Sequence, residues 1–290
     1  MKKFYSIEVL RFLSSIAVII YHYEIFFFRF NDLNQFKILG DYNLLPFNNF
    51  LNYLYVYGDH GVQMFWCISG FIISYMYLDN IRFKDSKKFF VNRFTRLYPL
   101  HFITLIIVAV LQFFSFKSLN QFMIFDYNDI YHFFLNIFFI SSWGFEKGMS
   151  FNQPIWSVSY EIIVYILFFI CAINFKKLNL KSLSILYLLT LTLNKYGANL
   201  FEPNKFIYYS DHHNDIISCI QLFISGMIIY KLFMLNKKLL LLILSIIFLL
   251  ISFTGNFKVF IFCPAVIMFA IGAENYLVIK SNFIRKIFST

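Results

Sequence analysis

The sequence predicts an all-α protein, a polytopic membrane bundle of about eight spanning helices. Hydrophobic residues make up 60% of its 290 residues and charged residues only 14%, at a mean hydropathy of +0.67, whereas soluble domains are about 25% charged. The apolar residues also gather in runs close to the roughly 20 residues that a helix needs to cross a bilayer. Both observations exclude an ordinary soluble domain.

Eight apolar runs are predicted to span the membrane. They cover residues 7–28, 59–78, 97–116, 158–174, 183–200, 214–233, 239–254 and 259–277. Helices are expected because hydrocarbon leaves each backbone polar group to be paired within its own segment. No soluble domain or internal repeat separates the runs, so residues 1–290 are expected to form a single membrane domain.

The connecting segments alternate in basic charge. Lys and Arg are abundant at the N-terminus and after the second, fourth, sixth and eighth spans, and sparse in the other loops. Because basic loops remain in the cytoplasm, this pattern predicts a cytoplasmic N-terminus. The net charge of +10 is distributed over these loops and does not indicate nucleic-acid binding.

One further apolar stretch, residues 130–143, does not fit this count. It is short for a span, and treating it as one would move the basic segment after the fourth span to the outside. We therefore expect a re-entrant or interfacial segment, whose backbone must be covered by protein or line a cavity.

The first span contains Glu8, Arg11, His22 and Glu24, of which Arg11 and His22 are eleven residues apart. Eleven residues at about 100° each make close to three turns, so the side chains share one helix face, roughly 16 Å apart along the axis. An ionisable group in hydrocarbon costs several kcal/mol unless it faces a cavity or a partner. The pair therefore predicts a reaction or transport path rather than a simple anchor.

Basic residues cluster before the third span, in the predicted cytoplasmic loop 79–96. Arg93 and Arg96 are three residues apart and share a face if a helix begins there. Guanidinium groups bind phosphate in a bidentate manner, so the cluster suits a phosphate-rich ligand. The alternative is topological, since basic loops are normal on the cytoplasmic side of membrane proteins.

Glu161 lies a few residues into the fourth span, an apolar segment in which a carboxylate requires a cavity or a partner. Arg11 and His22 are the expected partners. Close to Glu161 in the sequence, Trp156 suits the membrane interface and Ser159 is placed to hydrogen-bond to backbone or substrate.

The other histidines and the cysteines do not indicate a metal site. The four cysteines are isolated within apolar segments, and none has the spacing of metal ligands. His101 and His132 are single residues in aromatic surroundings and are expected to be packing or interfacial residues. No metal is therefore expected.

Four stretches together resemble the membrane acyltransferase-3 family, the bacterial O-acyltransferases that modify surface polysaccharides. They are Arg11 and His22 within IEVLRFLSSIAVIIYHY, GVQMFWCISGFII at 61–73, RFTRLYP at 93–99 and WSVSYE at 156–161. They occur in the family's order, while the later spans match in hydropathy alone. In two departures, Gln63 replaces an acidic residue of many relatives, and the family's usual ninth and tenth spans are expected to be absent.

The resemblance implies transfer of an acyl group, usually acetyl, from cytoplasmic acyl-CoA to a hydroxyl of a cell-surface carbohydrate: O-antigen, lipooligosaccharide, capsule or exopolysaccharide. It implies a bacterial inner-membrane enzyme that holds no bound cofactor and uses acyl-CoA as a substrate. The residues it assigns are, for catalysis, His22 as general base with Arg11 and Glu161; for acyl-CoA binding, Arg93 and Arg96; and for lining the substrate, Trp156 and Ser159.

Two alternatives remain open from the sequence. Buried Arg and His also mark transport pathways, so a transporter or flippase of a lipid-linked or acidic sugar has similar features. An inactive acyltransferase, shortened at its C-terminus, is the other.

Overall fold

The computed structural model describes residues 4–23, 45–79, 82–174, 178–196, 215–253 and 258–277. Over these ranges the chain is helical and contains no strand, which confirms the all-α prediction. The ten α-helices are α1 (Tyr5–Tyr23), α2 (Asn48–Tyr57), α3 (His60–Ile73), α4 (Ser86–Leu119), α5 (Ile130–Ile137), α6 (Trp156–Asn174), α7 (Leu180–Tyr196), α8 (Asp215–Met234), α9 (Lys238–Ser252) and α10 (Lys258–Leu277). Helix α3 continues directly into a π-helical segment, Ser74–Leu78.

Each of the eight predicted spans contains a helix. Within the described ranges, five stretches are long and apolar enough to cross a membrane: Tyr5–Tyr23, His60–Leu78, Phe83–Leu119, Gln153–Asn174 and Ile216–Met234. The other three spans correspond to shorter apolar helices, Leu180–Asn194, Lys238–Ser252 and Val259–Glu274. The predicted span ends at 24–28, 197–200, 214 and 254 lie outside the described residues.

Helix α4 is much longer than the predicted span 97–116. It begins at Ser86 and has 34 residues, about 50 Å at 1.5 Å per residue, whereas the hydrocarbon core is roughly 30 Å thick. The prediction of a loop through residue 96 is therefore wrong. Hydropathy locates the apolar part of a helix, but α4 also includes the basic turns before it, so Arg93 and Arg96 are helical.

Residues 130–143 do not form a span. Helix α5 has 8 residues, about 12 Å, and turns follow it. Its N-cap is Asp129, whose side chain accepts a hydrogen bond from the backbone N–H of His132, the usual way to satisfy a free N–H at a helix start. This geometry agrees with the predicted re-entrant or interfacial segment.

The contact between α3 and α8 lies at the centre of the bundle. Two glycines bring the helix backbones together: a Cβ at Gly70 would overlap the carbonyl of Phe223, and one at Gly226 would overlap the carbonyl of Cys67. Small residues at such crossings permit close packing without a hydrophobic driving force between helices. Side chains of α1, α4, α6, α7, α9 and α10 complete the buried core.

Helix α1 is fixed to the bundle at its start and along its length. The carboxylate of Glu274 in α10 accepts hydrogen bonds from the backbone N–H groups of Tyr5 and Ser6, at 2.9 and 3.0 Å, and from the Ser6 hydroxyl. A carboxylate at this position satisfies the first N–H groups of the helix and complements its dipole. Further along, Gly61 of α3 lies against the backbone of Ser14.

Candidate functional site

His22 lies near the end of α1 and is held by its own helix. Its Nδ1 is 2.8 Å from the carbonyl oxygen of Val18. Because a carbonyl oxygen can only accept, Nδ1 carries the proton in this contact. In the neutral imidazole Nε2 is then the basic nitrogen. The side chain as a whole is partly exposed.

Arg11 is on the same helix but remains distant from His22. Helix α1 is continuous from Tyr5 to Tyr23, so the two positions are about 16 Å apart along the axis. The guanidinium of Arg11 forms an ion pair with Glu8 at 3.2 Å, one turn towards the N-terminus. The side chain keeps 30% of its exposure, which leaves Arg11 accessible to a second anionic group.

The carboxylate of Glu161 is buried in α6. The hydroxyl of Tyr165, one turn later, donates a hydrogen bond to it at 2.5 Å. Ser69 of α3 also hydrogen-bonds to Glu161, and the guanidinium groups of Arg96 and Arg93 interact with it electrostatically. The structure therefore joins α3, α4 and α6 around one buried carboxyl group.

Glu161 does not pair with Arg11 or His22 among the described residues, so this expectation from the sequence is wrong. Both side chains have partners within α1, Arg11 with Glu8 and His22 with Val18. The i, i+3 and i, i+4 spacings of these partners are those at which residues of one helix meet. Contacts within α1 are therefore present in place of the expected pairing between α1 and Glu161.

The two arginines assigned to acyl-CoA binding occupy different environments. Arg93 is 7% exposed, and its guanidinium lies 5.8 Å from the centroid of the Tyr77 ring and 3.8 Å from the Met76 sulfur, both in the π-helical segment. Its Nε is buried without a hydrogen-bond partner in the described part of the chain. Arg96, by contrast, is exposed. Of these two arginines, only Arg96 is open to a ligand from outside the bundle.

Ser159 joins α6 to the segment after α5. It is fully buried, and its hydroxyl donates to the carbonyl of Phe139 at 2.7 Å and accepts from the backbone N–H of Ser142 at 3.3 Å. Its own carbonyl accepts from the indole N–H of Trp143 at 3.0 Å. The substrate-lining role of Ser159 stays a prediction; in this structure its hydroxyl is buried and hydrogen-bonded to backbone atoms.

Trp156, at the start of α6, is half-buried. Its ring meets the ring of Trp66 in α3 edge to face at 5.7 Å, and that of Tyr160 at 6.1 Å. Edge-to-face pairs of this kind stabilise packing beyond their buried area. The substrate-lining role of Trp156 stays a prediction.

His132 is fully buried within the α5 segment, in agreement with the packing role expected for it. Its Nδ1 lies 2.7 Å from Oδ1 of Asp129, and its Nε2 accepts from the backbone N–H of Lys147 at 3.1 Å. Desolvation acts to raise the pKa of Asp129, but the hydrogen bonds from His132 bring that pKa below its usual value. Both imidazole nitrogens are therefore used to hold the segment together.

Tyr165 and Ser69 belong to the site around Glu161, and the sequence analysis missed both. Tyr165 follows Glu161 by four residues, a spacing that places two side chains on one helix face, so the signal was present. Ser69 lies in the stretch 61–73, which contributed to the family resemblance only as a whole and indicated no role for its single residues. Nothing in the sequence indicated that α3 and α6 are neighbours.

The fold and the site define a multi-pass helical membrane protein with a basic helix start, a buried carboxylate facing it and an imidazole in the first helix. A family model described as an acyltransferase domain, acyltransferase 3, matches residues 4–285. The chain belongs to the membrane acyltransferase-3 family, which confirms the resemblance. Neither the comparison with curated proteins nor that with solved structures gave a match.

Proposed function

We propose that the protein transfers an acyl group, in the first instance acetyl, from acyl-CoA to a hydroxyl of a cell-surface carbohydrate. The observation that supports this proposal is the orientation of the His22 ring. Its Nδ1–H donates to the Val18 carbonyl, which leaves Nε2 as the nitrogen that can accept a proton. A general base must be unprotonated at the atom that meets the substrate. In the proposed topology the N-terminus is cytoplasmic, the membrane is the bacterial inner membrane, and His22 lies towards the outer side.

In the proposed reaction, Nε2 of His22 removes the proton of the acceptor hydroxyl while its oxygen attacks the carbonyl carbon of the thioester. A carbon–oxygen bond forms and the carbon–sulfur bond breaks. The proton then passes from Nε2 to the leaving thiolate, so that His22 returns to its starting state. The products are the acylated carbohydrate and CoA as its free thiol.

The donor side of the proposal rests on three cations, of which Arg96 is exposed, Arg11 is partly exposed and Arg93 is buried. Arg96 is exposed at the basic start of α4 and suits the CoA phosphates. Arg93 supports this site from the interior through its charge, and Glu161, which interacts electrostatically with both arginines, is a positioning residue. Arg11 is too far along α1 to reach a carbonyl carbon at His22, which favours donor positioning over stabilisation of the oxyanion.

Transfer of label tests the proposal. Membranes that contain the chain would receive radiolabelled acetyl-CoA, and the glycan fraction would be counted beside that of membranes without the chain. We expect label in the glycan that alkali releases, because the product is an ester. A transporter of lipid-linked sugar would instead move sugar across the bilayer without a need for acetyl-CoA. Correct insertion with no glycan label would contradict the proposal.

A further inference from the structure

Helix α2 presents an exposed face in which amides and aromatic rings lie side by side. Its exposed residues are Asn49, Phe50, Asn52, Tyr53 and Tyr57. At 100° per residue they occupy one arc of the helix, with the two amides along one edge and the three rings along the other. The arc combines hydrogen-bonding groups with flat apolar surfaces.

The rings of this face continue into the start of α3. The rings of Tyr53 and Tyr57 are 4.9 Å apart, and Tyr57 and His60 are 5.6 Å apart. Nδ1 of His60 lies 2.9 Å from a carboxylate oxygen of Asp59, so it donates to Asp59 and Nε2 is directed elsewhere. The aromatic row therefore ends at a polar pair.

This polar pair lies beside the end of α1 that carries His22. Gly58, between α2 and α3, is in contact with α1, where an added Cβ would overlap the Ala17 carbonyl and press on Cβ of Tyr21. His22 is the next residue after Tyr21. The exposed face of α2 thus leads directly to the level of the proposed base.

The composition of this face differs from that of the aliphatic surfaces expected to face lipid, of which α9 provides an example. The exposed residues of α9 include Leu239, Ile243, Ile246 and Leu250, all aliphatic. An amide gains nothing from hydrocarbon and costs free energy there unless it is paired. The amides and aromatic rings of α2 instead match a ligand that offers both hydroxyl groups and apolar C–H faces.

We propose that the exposed face of α2, continued by Asp59 and His60, binds the acceptor carbohydrate and guides one of its hydroxyls to His22. Ring faces stack on the C–H faces of sugars, while amide and carboxylate groups hydrogen-bond to sugar hydroxyls. This inference rests on the proposed function, which requires a carbohydrate acceptor on the His22 side of the membrane.

Binding of a labelled glycan tests the inference without a need for turnover. The probe is the mixture of oligosaccharides released from bacterial lipooligosaccharide and labelled at the reducing end, added to the full chain in detergent. Two matched double variants are compared: Tyr53→Leu with Tyr57→Leu, and Tyr53→Phe with Tyr57→Phe. Leucine preserves an apolar, membrane-compatible surface but removes the rings, whereas phenylalanine keeps them.

We expect the leucine pair to bind the probe about tenfold more weakly, and the phenylalanine pair to stay close to the wild type. Acetyl-CoA binding should be unchanged in both, since α2 lies at the opposite end of α1 from Arg11. Wild-type binding by the leucine pair, or no binding by the wild type, would overturn the inference and indicate a lipid-facing role for α2. Glycan binding without any transfer of label would count against the proposed function alone.

Discussion

The imidazole of His22 donates from Nδ1 to the carbonyl oxygen of Val18, 2.8 Å away and one helical turn earlier. A backbone carbonyl has two lone pairs, so it can serve both the helix and the side chain. The ring is therefore oriented by α1 itself, and no carboxylate is needed to fix its tautomer. Glu161 has a separate role, next to the basic residues of α4.

Glu161→Gln should destabilise the protein. Glutamine keeps the volume and the oxygen that accepts from Tyr165, but it removes the charge that faces Arg93 and Arg96. Because the hydrogen bonds to a carboxylate become weaker bonds to a neutral amide and the longer-range attraction of the two guanidinium groups is lost, we expect the free energy of unfolding to fall by about 2 kcal/mol. Tyr165→Phe is the control, since it removes one hydrogen bond, worth about 1 kcal/mol, and leaves the charges in place. Equal thermal stability of Glu161→Gln and the wild type in detergent would remove Glu161 from this account.

Arg93→Ala and Arg96→Ala should have different effects. Arg93 is buried against Tyr77 and Met76, so the loss of its packing and of the cation–π contact should lower the free energy of unfolding by about 2 kcal/mol. Arg96 is exposed, so its loss should leave the melting temperature unchanged and raise the KM for acetyl-CoA about tenfold.

A double variant provides the control for the expected difference in stability between Arg93→Ala and Arg96→Ala. The loss of stability in Glu161→Gln combined with Arg93→Ala should be smaller than the sum of the two single losses, because each change removes the same interaction. Strict additivity, or equal melting temperatures for the two arginine variants, would show that Arg93 does not balance the charge of Glu161.

Gly226→Ala should disturb the crossing of α3 and α8. The added methyl group would meet backbone atoms of Cys67 and Phe71, which cannot rotate away, so we expect a loss of about 1–3 kcal/mol. Gly272→Ala is the matched control, because there the nearest atoms belong to the flexible end of the Leu242 side chain. Melting temperatures in detergent compare the two; an equal loss in both would mean that the backbone contact is not decisive.

Asp129→Asn should weaken the α5 segment, with a defined dependence on pH. The pKa of Asp129 lies below the ordinary value of 3.8 in the folded protein, so its contribution is complete above that value and is lost as the pH falls through the folded pKa. The side chain is 44% exposed, which limits the effect to about 1 kcal/mol. The difference in melting temperature between wild type and variant should be constant from about pH 5 to 8 and vanish in stronger acid. A difference that grows on acidification would contradict the assignment.

The apolar spans could be predicted because a long run of apolar residues has few stable structures other than a membrane-spanning helix. The start of α4 could not, since the basic turns from Ser86 carry no hydropathy signal. Ionisable residues in apolar segments were also evident from the cost of burying them, and this identified Arg11, His22 and Glu161.

The partners of these residues were harder to predict. Phe89 of α4 packs on Phe168 and Phe169 of α6 at 6.1 and 5.4 Å, and this neighbourhood brings the basic start of α4 to Glu161. Which helices become neighbours depends on packing across the whole bundle, and one sequence does not encode it in a local pattern. Ser159 shows the same limit: a buried hydroxyl that holds a loop and one that meets a substrate look alike in sequence.

Acetyl transfer by His22→Asn tests the central claim most directly. The amide N–H of asparagine can replace the Nδ1–H that donates to Val18, but the side chain offers no base at the position of Nε2. We predict normal insertion and acetyl-CoA binding, with transfer of label to glycan reduced at least about 100-fold. The same reduction is expected for His22→Ala, which also lacks the base. Transfer by His22→Asn at the wild-type rate would show that His22 is not the base and would contradict the mechanism.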